Sequence, residues 1–247
     1  MQILEIQDFI ENFRLLQDSL KTIRINSDLA KFHGLISGYH ALTELSEAYE
    51  RKLASSYNVF QILKNIYKDE ERTHSPYLAD LLNCKGSHRQ GDLFYTEFIK
   101  LLDIEDKSFY QPLSKDLLFV ELEKYTGDGS IDILIRYHDN LKYFGIAIEN
   151  KIYAKDQPKQ LERYNHYLKT VFKDNYLLVY LSPDGHAPMI PYSIEETTYK
   201  ELTKNRKLLI ISYKDHIIKM IENAFPKIQA ENIRIIIAQY LDIITKF

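Results

Sequence analysis

Three apolar runs follow one another between residues 117 and 151, and they restrict the possible folds of this chain more than any other feature. They read LLFVELEKY, GSIDILIRY and YFGIAIENK, and they are rich in β-branched and aromatic residues. Turn residues separate them, with Gly127–Gly129 after the first run and Asp139 and Asn140 after the second. Runs of this kind between turn residues predict consecutive β-strands.

Helical patterns lie on both sides of these strands. Apolar residues at intervals of three and four predict helices over 3–23 and 40–54, and the segment GLISG at 34–38 predicts a break between them. After the strands, the sequence predicts a helix, two further strands and two closing helices, at about 157–171, 175–182, 207–213, 214–224 and 230–246. Helices followed by strands that alternate with helices predict an α/β fold around a mixed sheet.

Composition and charge exclude several classes of protein. Lys and Arg number 32 and Asp and Glu number 35, so the net charge of -3 gives no overall attraction for nucleic acid or an anionic membrane. No apolar run approaches the roughly 20 residues of a transmembrane helix, and the segment MQILEIQDFIENF carries acids where a signal peptide is basic. We therefore expect a cytoplasmic protein with no membrane partner. The single cysteine, Cys84, excludes a Cys-based zinc site.

Two carboxylates and a lysine interrupt the second and third apolar runs. Asp132 lies within IDILI, where an unpaired carboxylate would be costly to bury. Glu149 and Lys151 are two positions apart, so they project from the same face of their strand. A turn at 138–141 would bring this strand beside the one that carries Asp132. The three side chains would then converge, and such a set suits Mg²⁺, with the lysine orienting or deprotonating an attacking water.

Each of these residues also has a simpler interpretation. Asp132 alone could be a hydrogen-bonded buried residue, and Glu149 with Lys151 could be an ordinary ion pair. Their combination at apolar strands favours the metal site. In the neighbouring run, Glu121 and Glu123 alternate with apolar residues; one of them could reach the same site, and both alternatives stay open.

Sequence blocks around this core resemble those of a known family. Asp132 followed by Glu149-Asn150-Lys151 resembles the D…(D/E)xK core of the PD-(D/E)XK, or restriction-endonuclease-like, nuclease superfamily, with Ile131 where the superfamily's name has proline. Flanking segments resemble the E-x-x-H-S, L-L, G-x-H-x-x-G and D-Q-x-x-Q-L-x-x-Y blocks of a bacterial family within it. They are ERTHS at 71–75, LADLL at 78–82, GSHRQGDLF at 86–94, DQ at 156–157 and QLERY at 160–164.

The resemblance runs from about Asn58 to Pro188, and it implies a fold and a domain organisation. The implied fold is restriction-endonuclease-like, an α/β architecture with a mixed central β-sheet flanked by helices. It implies a single nuclease-like domain over residues 1–247. Within that domain, residues 1–55 would form a helical N-terminal extension, and residues 56–247 would form the core with C-terminal helices.

The resemblance also implies roles for individual residues. Asp132 and Glu149 would be ligands for Mg²⁺, for which Mn²⁺ can substitute. Lys151 would be the water-positioning base or an electrostatic stabiliser. Glu71 would add a carboxylate from the preceding helix, and Gln160 would face the site from the helix that follows the core.

Three further residues are weaker candidates for the site. His74 and His88 lie within the matching blocks, but structural hydrogen bonding or loop packing explains them equally well. Tyr164 shares a helix face with Gln160 and Tyr167. Packing in the core or at its rim explains both tyrosines better than a reactive role.

The implied activity is Mg²⁺-dependent hydrolysis of DNA phosphodiester bonds, with DNA as the expected partner. Lys155, Lys159 and Arg163 could form a phosphate-binding edge, although lysines near a helix start are usually just solvated. The alternative is a catalytically silent nuclease-fold binding or assembly module of a defence or mobile-element system, and a weaker one is phosphoryl chemistry on a nucleotide. A homodimer in which the N-terminal helices make the contact is compatible with cleavage of both strands.

Overall fold

A computed structural model describes the backbone of residues 2–53, 58–66 and 73–247, and the side chains of residues 11–48, 58–63 and 73–247. The chain divides into two compact units, Met1–Tyr57 and Asn58–Phe247. Within the described ranges, no helix combines the length and the apolar composition needed to cross a membrane.

The first unit contains one long helix, α1 (Gln2–Leu53). The predicted break at GLISG is wrong, because the helix continues through Gly34 and Gly38. A glycine in a helix interior costs only about 1 kcal/mol relative to alanine, whereas a proline removes a hydrogen bond and clashes with the preceding turn. Residues 2–53 contain no proline, so no residue in this segment forces the helix to end.

The second unit is built on a five-stranded sheet in which the strands lie side by side in chain order. The first three strands are antiparallel neighbours, and the last three are parallel neighbours. The strands are β1 (Leu118–Tyr125), β2 (Ser130–His138), β3 (Tyr143–Asn150), β4 (Tyr176–Ser182) and β5 (Leu208–Ser212). Each coincides with a predicted strand, and the prediction of a mixed central sheet is confirmed.

Helices cover both faces of the sheet, as predicted. One apolar core joins the sheet to five helices, α2 (Val59–Ile66), α3 (His74–Leu82), α4 (Leu93–Leu101), α7 (Ile218–Ala224) and α8 (Glu231–Ile244). A second, smaller core on the opposite face joins it to α5 (Gln160–Phe172) and α6 (Glu196–Lys204). The sheet therefore lies between two helical layers, which is the α/β architecture expected from the sequence.

The sequence does not predict α6. Its segment ETTYKELTK buries one side chain, Leu202, so its apolar periodicity is too weak to distinguish a helix from a loop. The helix nevertheless completes the smaller of the two cores.

Candidate active site

The sheet register places three carboxylates in a row. β2 and β3 pair Ile133 with Ile148, so the next position brings Asp132 opposite Glu149. The β1–β2 pairs Leu122–Ile133 and Lys124–Ile131 flank Glu123 and Asp132, so these two carboxylates also lie beside each other. Directly opposed residues of neighbouring strands point to the same side of a sheet, and here that side is the one covered by α5.

These residues line a cavity of about 280 Å³. The lining residues come from β1, β2, β3, the loop after β3 and α5, so elements that are distant in sequence build the site together. They are Glu123, Ser130, Asp132, Glu149, Asn150, Lys151, Ala154, Gln157, Gln160 and Tyr164.

Glu149 is the most buried charged residue of the cavity. It is 1% exposed, against 6% for Lys151 and 8% for Asp132. Its Oε1 accepts hydrogen bonds from Lys151 Nζ at 2.7 Å and from Gln160 Nε2 at 2.7 Å. Its Oε2 is buried and has no hydrogen-bond partner among the residues that the structure describes. Because an unpaired buried carboxylate oxygen is costly, this atom marks a position for a cation or a donor.

The main chain of β3 holds Asp132. Its Oδ2 accepts a hydrogen bond from the backbone N–H of Asn150 at 2.7 Å. Asn150 lies between Glu149 and Lys151 in the chain, so this bond couples the orientation of Asp132 to the end of β3.

Helix α5 begins at the cavity and orients Glu149. Gln160 is its first residue, and Gln160 Nε2 donates both to Glu149 Oε1 and to the Tyr164 hydroxyl, the latter at 3.1 Å. The Tyr164 hydroxyl in turn donates to the backbone oxygen of Ser130. Gln160 and Tyr164 are four residues apart, so both reach the cavity from one side of the helix.

Burial and nearby charge shift the pKa values of this ion pair. Burial, together with the charge of Asp132, raises the pKa of Glu149 to about 8, although Lys151 opposes the shift. Burial lowers the pKa of Lys151, but its contact with Glu149 and the charge of Asp132 outweigh burial, so the net shift is upward. Lys151 therefore keeps its positive charge at neutral pH, which suits a cationic role better than proton acceptance.

The donor chemistry of the cavity fits Mg²⁺. The candidate centre has two buried protein carboxylates, Asp132 and Glu149. The described part of the chain contains no group of three or more His, Cys, Asp or Glu side chains that could hold a metal ion. Mg²⁺ is usually bound by one or two carboxylates and keeps several water ligands. The Oε2 of Glu149 supplies a buried oxygen to which no described residue donates a hydrogen bond.

Three other candidate residues lie away from this cavity or outside the described residues. Glu71 falls outside the described residues. His74 is buried, with Nδ1 3.4 Å from the Tyr240 hydroxyl. His88 Nδ1 accepts from the backbone N–H of Gln90 at 3.0 Å within a loop. Neither histidine belongs to the cavity lining.

The structure selects Glu123 over Glu121 as the residue of β1 that lines the cavity. Glu121 is ion-paired with Arg136 and, at 3.0 Å, with Lys124. Because Glu121 and Glu123 are two positions apart, regular alternation would place both on one face of β1, so alternation alone could not distinguish them. Glu123 has a left-handed φ of 48°, which is uncommon for a residue with a side chain and interrupts the regular strand geometry of β1.

Sequence reasoning missed three cavity residues, Ser130, Asn150 and Ala154. Strand alternation directs the Asn150 side chain away from Glu149 and Lys151. The residue therefore contributes to the site through its main chain, which no sequence pattern identifies. Ser130 participates through its backbone oxygen, which no sequence pattern identifies. Gln157, by contrast, lies within the DQ block.

A comparison with protein families assigns the chain to a superfamily. A family model of the PD-(D/E)XK nuclease superfamily matches residues 57–242, well over half of the chain. The protein therefore belongs to the PD-(D/E)XK nuclease superfamily, whose members are usually nucleases that use divalent metals. No curated protein and no solved structure gives a match. The matched range includes α6 and α7, beyond the segment that carries the recognisable motifs.

Proposed function

We propose that this protein is a Mg²⁺-dependent nuclease that hydrolyses DNA phosphodiester bonds at the cavity. The observation that carries the proposal is the buried Oε2 of Glu149, which has no hydrogen-bond partner among the described residues and lies in a cavity that also contains Asp132 and Lys151. Within a nuclease superfamily, two carboxylates and a lysine in such a cavity support metal-assisted hydrolysis better than a structural ion pair.

Asp132 and Glu149 would hold the ion. The chemistry that bound Mg²⁺ supplies is the activation of water and the stabilisation of phosphoryl charge. Gln160 contributes by holding Oε1 of Glu149 at 2.7 Å, which leaves Oε2 as the ligand atom. The hydrogen bond from Asn150 to Oδ2 of Asp132 fixes the second carboxylate in the same way.

Lys151 acts as an electrostatic stabiliser in this proposal. Its ammonium group is already oriented by Glu149, and its raised pKa keeps it charged at neutral pH. A preorganised positive charge stabilises the negative charge that develops on the phosphoryl oxygens in the transition state. Of the two roles that the superfamily implies for this lysine, the 2.7 Å contact between its ammonium group and Glu149 supports electrostatic stabilisation.

The proposed reaction adds water across one P–O bond. The water oxygen forms a bond to phosphorus, and the bond between phosphorus and the leaving sugar oxygen breaks. One proton of the water ends on the leaving oxygen, and the other passes to solvent.

Exposed basic residues near the cavity support a nucleic-acid substrate. Lys155 and Lys159 are exposed in the segment between β3 and α5, and neighbouring residues of that segment line the cavity. Contacts to phosphates supply most non-specific affinity for nucleic acid. Because the net charge of the chain is -3, we expect modest affinity for bare duplex DNA that falls as salt is added.

From the sequence alone, we also propose a cytoplasmic location and a homodimer that forms through the N-terminal helix.

The testing experiment compares wild type with Asp132→Asn. Each protein is titrated with Mg²⁺ and Mn²⁺ by calorimetry and then assayed on linear duplex, supercoiled and single-stranded DNA, with RNA and a chelator as further arms. Asp116→Asn is the matched control, because Asp116 is an exposed aspartate outside the cavity. We expect metal binding and DNA cleavage in wild type and in the control, and neither in Asp132→Asn. Wild type that binds metal but cleaves no substrate would favour the binding or assembly module instead.

A further inference from the structure

The side chain of Asn150 is buried on the opposite side of β3 from the metal-site residues. Successive residues of a strand point to opposite faces of the sheet, so Glu149 and Lys151 point one way and Asn150 the other. An amide buried in an apolar core is costly unless its polar atoms are hydrogen-bonded. The partners of Asn150 therefore explain why an amide occupies this position.

Both polar atoms of the Asn150 amide bind other elements of the fold. Nδ2 donates to Ser75 Oγ on α3 at 3.1 Å. Oδ1 accepts from the Tyr213 hydroxyl at 3.1 Å, at the start of the π-helical turn Tyr213–Ile217 that follows β5. Ser75 and Tyr213 are fully buried. One side chain thus joins β3 to α3 and to the segment after β5.

The main chain around the same residue orients groups of the candidate site. The Asn150 N–H donates to Asp132 Oδ2 at 2.7 Å, and the next N–H, from Lys151, donates to the backbone oxygen of Leu181 at 2.8 Å. A rotation of the Asn150 backbone would move the N–H that binds Asp132. It would also tilt Glu149 and Lys151, because both are covalent neighbours of Asn150.

We propose that Asn150 is a positioning residue for the metal ligands, held in place by Ser75 and Tyr213. These three residues form a clamp that keeps Asp132 and Glu149 in the arrangement that a shared cation requires. The inference rests on the proposed function, because it assigns the clamp to the same metal site. Residues that orient metal ligands typically change metal affinity by about 10- to 100-fold when they are replaced.

His74 and Tyr240 support the clamp from the side of α8. The Tyr240 hydroxyl is hydrogen-bonded to Tyr213, and His74 Nδ1 lies 3.4 Å from the Tyr240 hydroxyl. His74 and Ser75, neighbours in the ERTHS segment, therefore both connect to Asn150 rather than to the cavity. This gives the two residues a role that does not involve metal ligation.

The test measures Mn²⁺ affinity by calorimetry in wild type, Asn150→Ala, Ser75→Ala and Tyr213→Phe. We expect Asn150→Ala to weaken Mn²⁺ binding by about 10- to 100-fold, and each hydroxyl deletion to weaken it by a smaller factor. Tyr95→Phe is the matched control, because it also removes a buried hydroxyl, one that donates to the backbone oxygen of Tyr110 at 2.5 Å. It should lower the melting temperature and leave Mn²⁺ affinity unchanged.

A double-mutant cycle distinguishes positioning from a general loss of stability. Once the amide is absent, Ser75→Ala should cause no further loss of Mn²⁺ affinity, so its effect in the Asn150→Ala background should vanish. A purely structural role would instead lower the melting temperature of each variant while Mn²⁺ affinity at low temperature stayed at the wild-type value.

The outcomes separate this inference from the proposed function. Wild type that binds no Mn²⁺ would overturn both. Wild type that binds Mn²⁺, together with unchanged affinity in Asn150→Ala and Tyr213→Phe, would overturn the clamp and leave the metal site standing. If Asn150→Ala fails to fold, Tyr213→Phe decides the question alone, because it removes one oxygen atom and keeps the aromatic ring.

Discussion

Two buried glutamates of this protein are each ion-paired with lysine, yet they differ in their surroundings. Glu149 at the candidate site is 1% exposed, and Glu97 on α4 is 5% exposed. Within the described part of the chain, Glu149 has one lysine partner, the buried Lys151 at 2.7 Å. Glu97 has two, Lys100 at 2.9 Å and Lys227 at 2.7 Å, and both of these lysines extend into solvent.

The pKa values of the two glutamates shift in opposite directions. Burial raises the pKa of Glu97, but the hydrogen bonds from its two lysines outweigh burial, so the net shift is downward. For Glu149, burial and the neighbouring Asp132 outweigh the single lysine, and the pKa rises to about 8. Glu97, which contacts two lysines, thus forms a stable ion pair. Glu149 lies beside a second carboxylate and contacts one lysine among the described residues, so binding of a further cation would be favourable there.

Replacement of Asp132 should have the largest effect, because Asp132 distinguishes the surroundings of Glu149 from those of Glu97. Asp132→Ala should abolish Mg²⁺ and Mn²⁺ binding together with cleavage, because it removes one of the two carboxylates that would hold the ion, and Mg²⁺ gives up its water ligands reluctantly. Calorimetric titration and a DNA cleavage assay measure the two effects. Glu97→Ala is the matched control, since it removes a carboxylate of similar burial, and it should lower the melting temperature without changing metal affinity. Tight Mn²⁺ binding by Asp132→Ala would contradict the assignment.

Replacement of the site lysine should have the next largest effect. Lys151→Ala should leave divalent-metal binding largely intact and lower the cleavage rate by roughly 100-fold, the size of one general-base or electrostatic contribution. Steady-state cleavage kinetics at saturating Mg²⁺ measure this loss. Lys227→Ala removes a lysine from the other glutamate and should cleave at the wild-type rate. Equal rates for both variants would remove Lys151 from the catalytic set.

Loss of the amide that holds Glu149 should have a smaller effect. Gln160→Ala should weaken Mn²⁺ affinity by about tenfold, because among the described residues Glu149 Oε1 then keeps Lys151 as its one donor. Calorimetry checks this value. Gln239→Ala is the control: Gln239 Oε1 accepts from the backbone N–H of Val59 at 3.0 Å, away from the cavity. An effect of the same size in the control would mean that the loss of affinity reflects general destabilisation.

The pH dependence of stability should show the smallest difference, with opposite signs for the two glutamates. Because the pKa of Glu149 is raised, the metal-free folded state binds more protons than the unfolded state between about pH 4.5 and 8. The stabilisation from Glu149 is therefore complete below the unfolded pKa and is lost as the pH rises to about 8. The pKa of Glu97 is lowered, so its stabilisation is present above the unfolded pKa and is lost on acidification.

Thermal denaturation with a chelator across this pH range tests both signs. Glu149→Gln should remove part of the decline in melting temperature toward about pH 8, whereas Glu97→Gln should remove part of the decline in acid. A Glu149→Gln protein whose melting temperature falls with pH as steeply as that of wild type would contradict the raised pKa.

Local patterns were sufficient for the sheet and for the helices α5, α7 and α8. The strands could be predicted because apolar runs and turn residues are properties of neighbouring positions, and all five occur where the sequence places them. The predictions are weaker where local signals are ambiguous. GLISG resembles a helix break but lies within α1, and α6 buries only Leu202.

The sequence by itself determined which groups could form the site, because two-residue spacing and a tight turn bring Asp132, Glu149 and Lys151 together. The tertiary structure decided their partners. Glu123 rather than Glu121 lines the cavity, and Asn150 meets Ser75 of α3. These contacts depend on the pairing of β1 with β2 and on the docking of α3 against the sheet. Both are selected by the burial of apolar side chains across the whole unit, which no local pattern encodes.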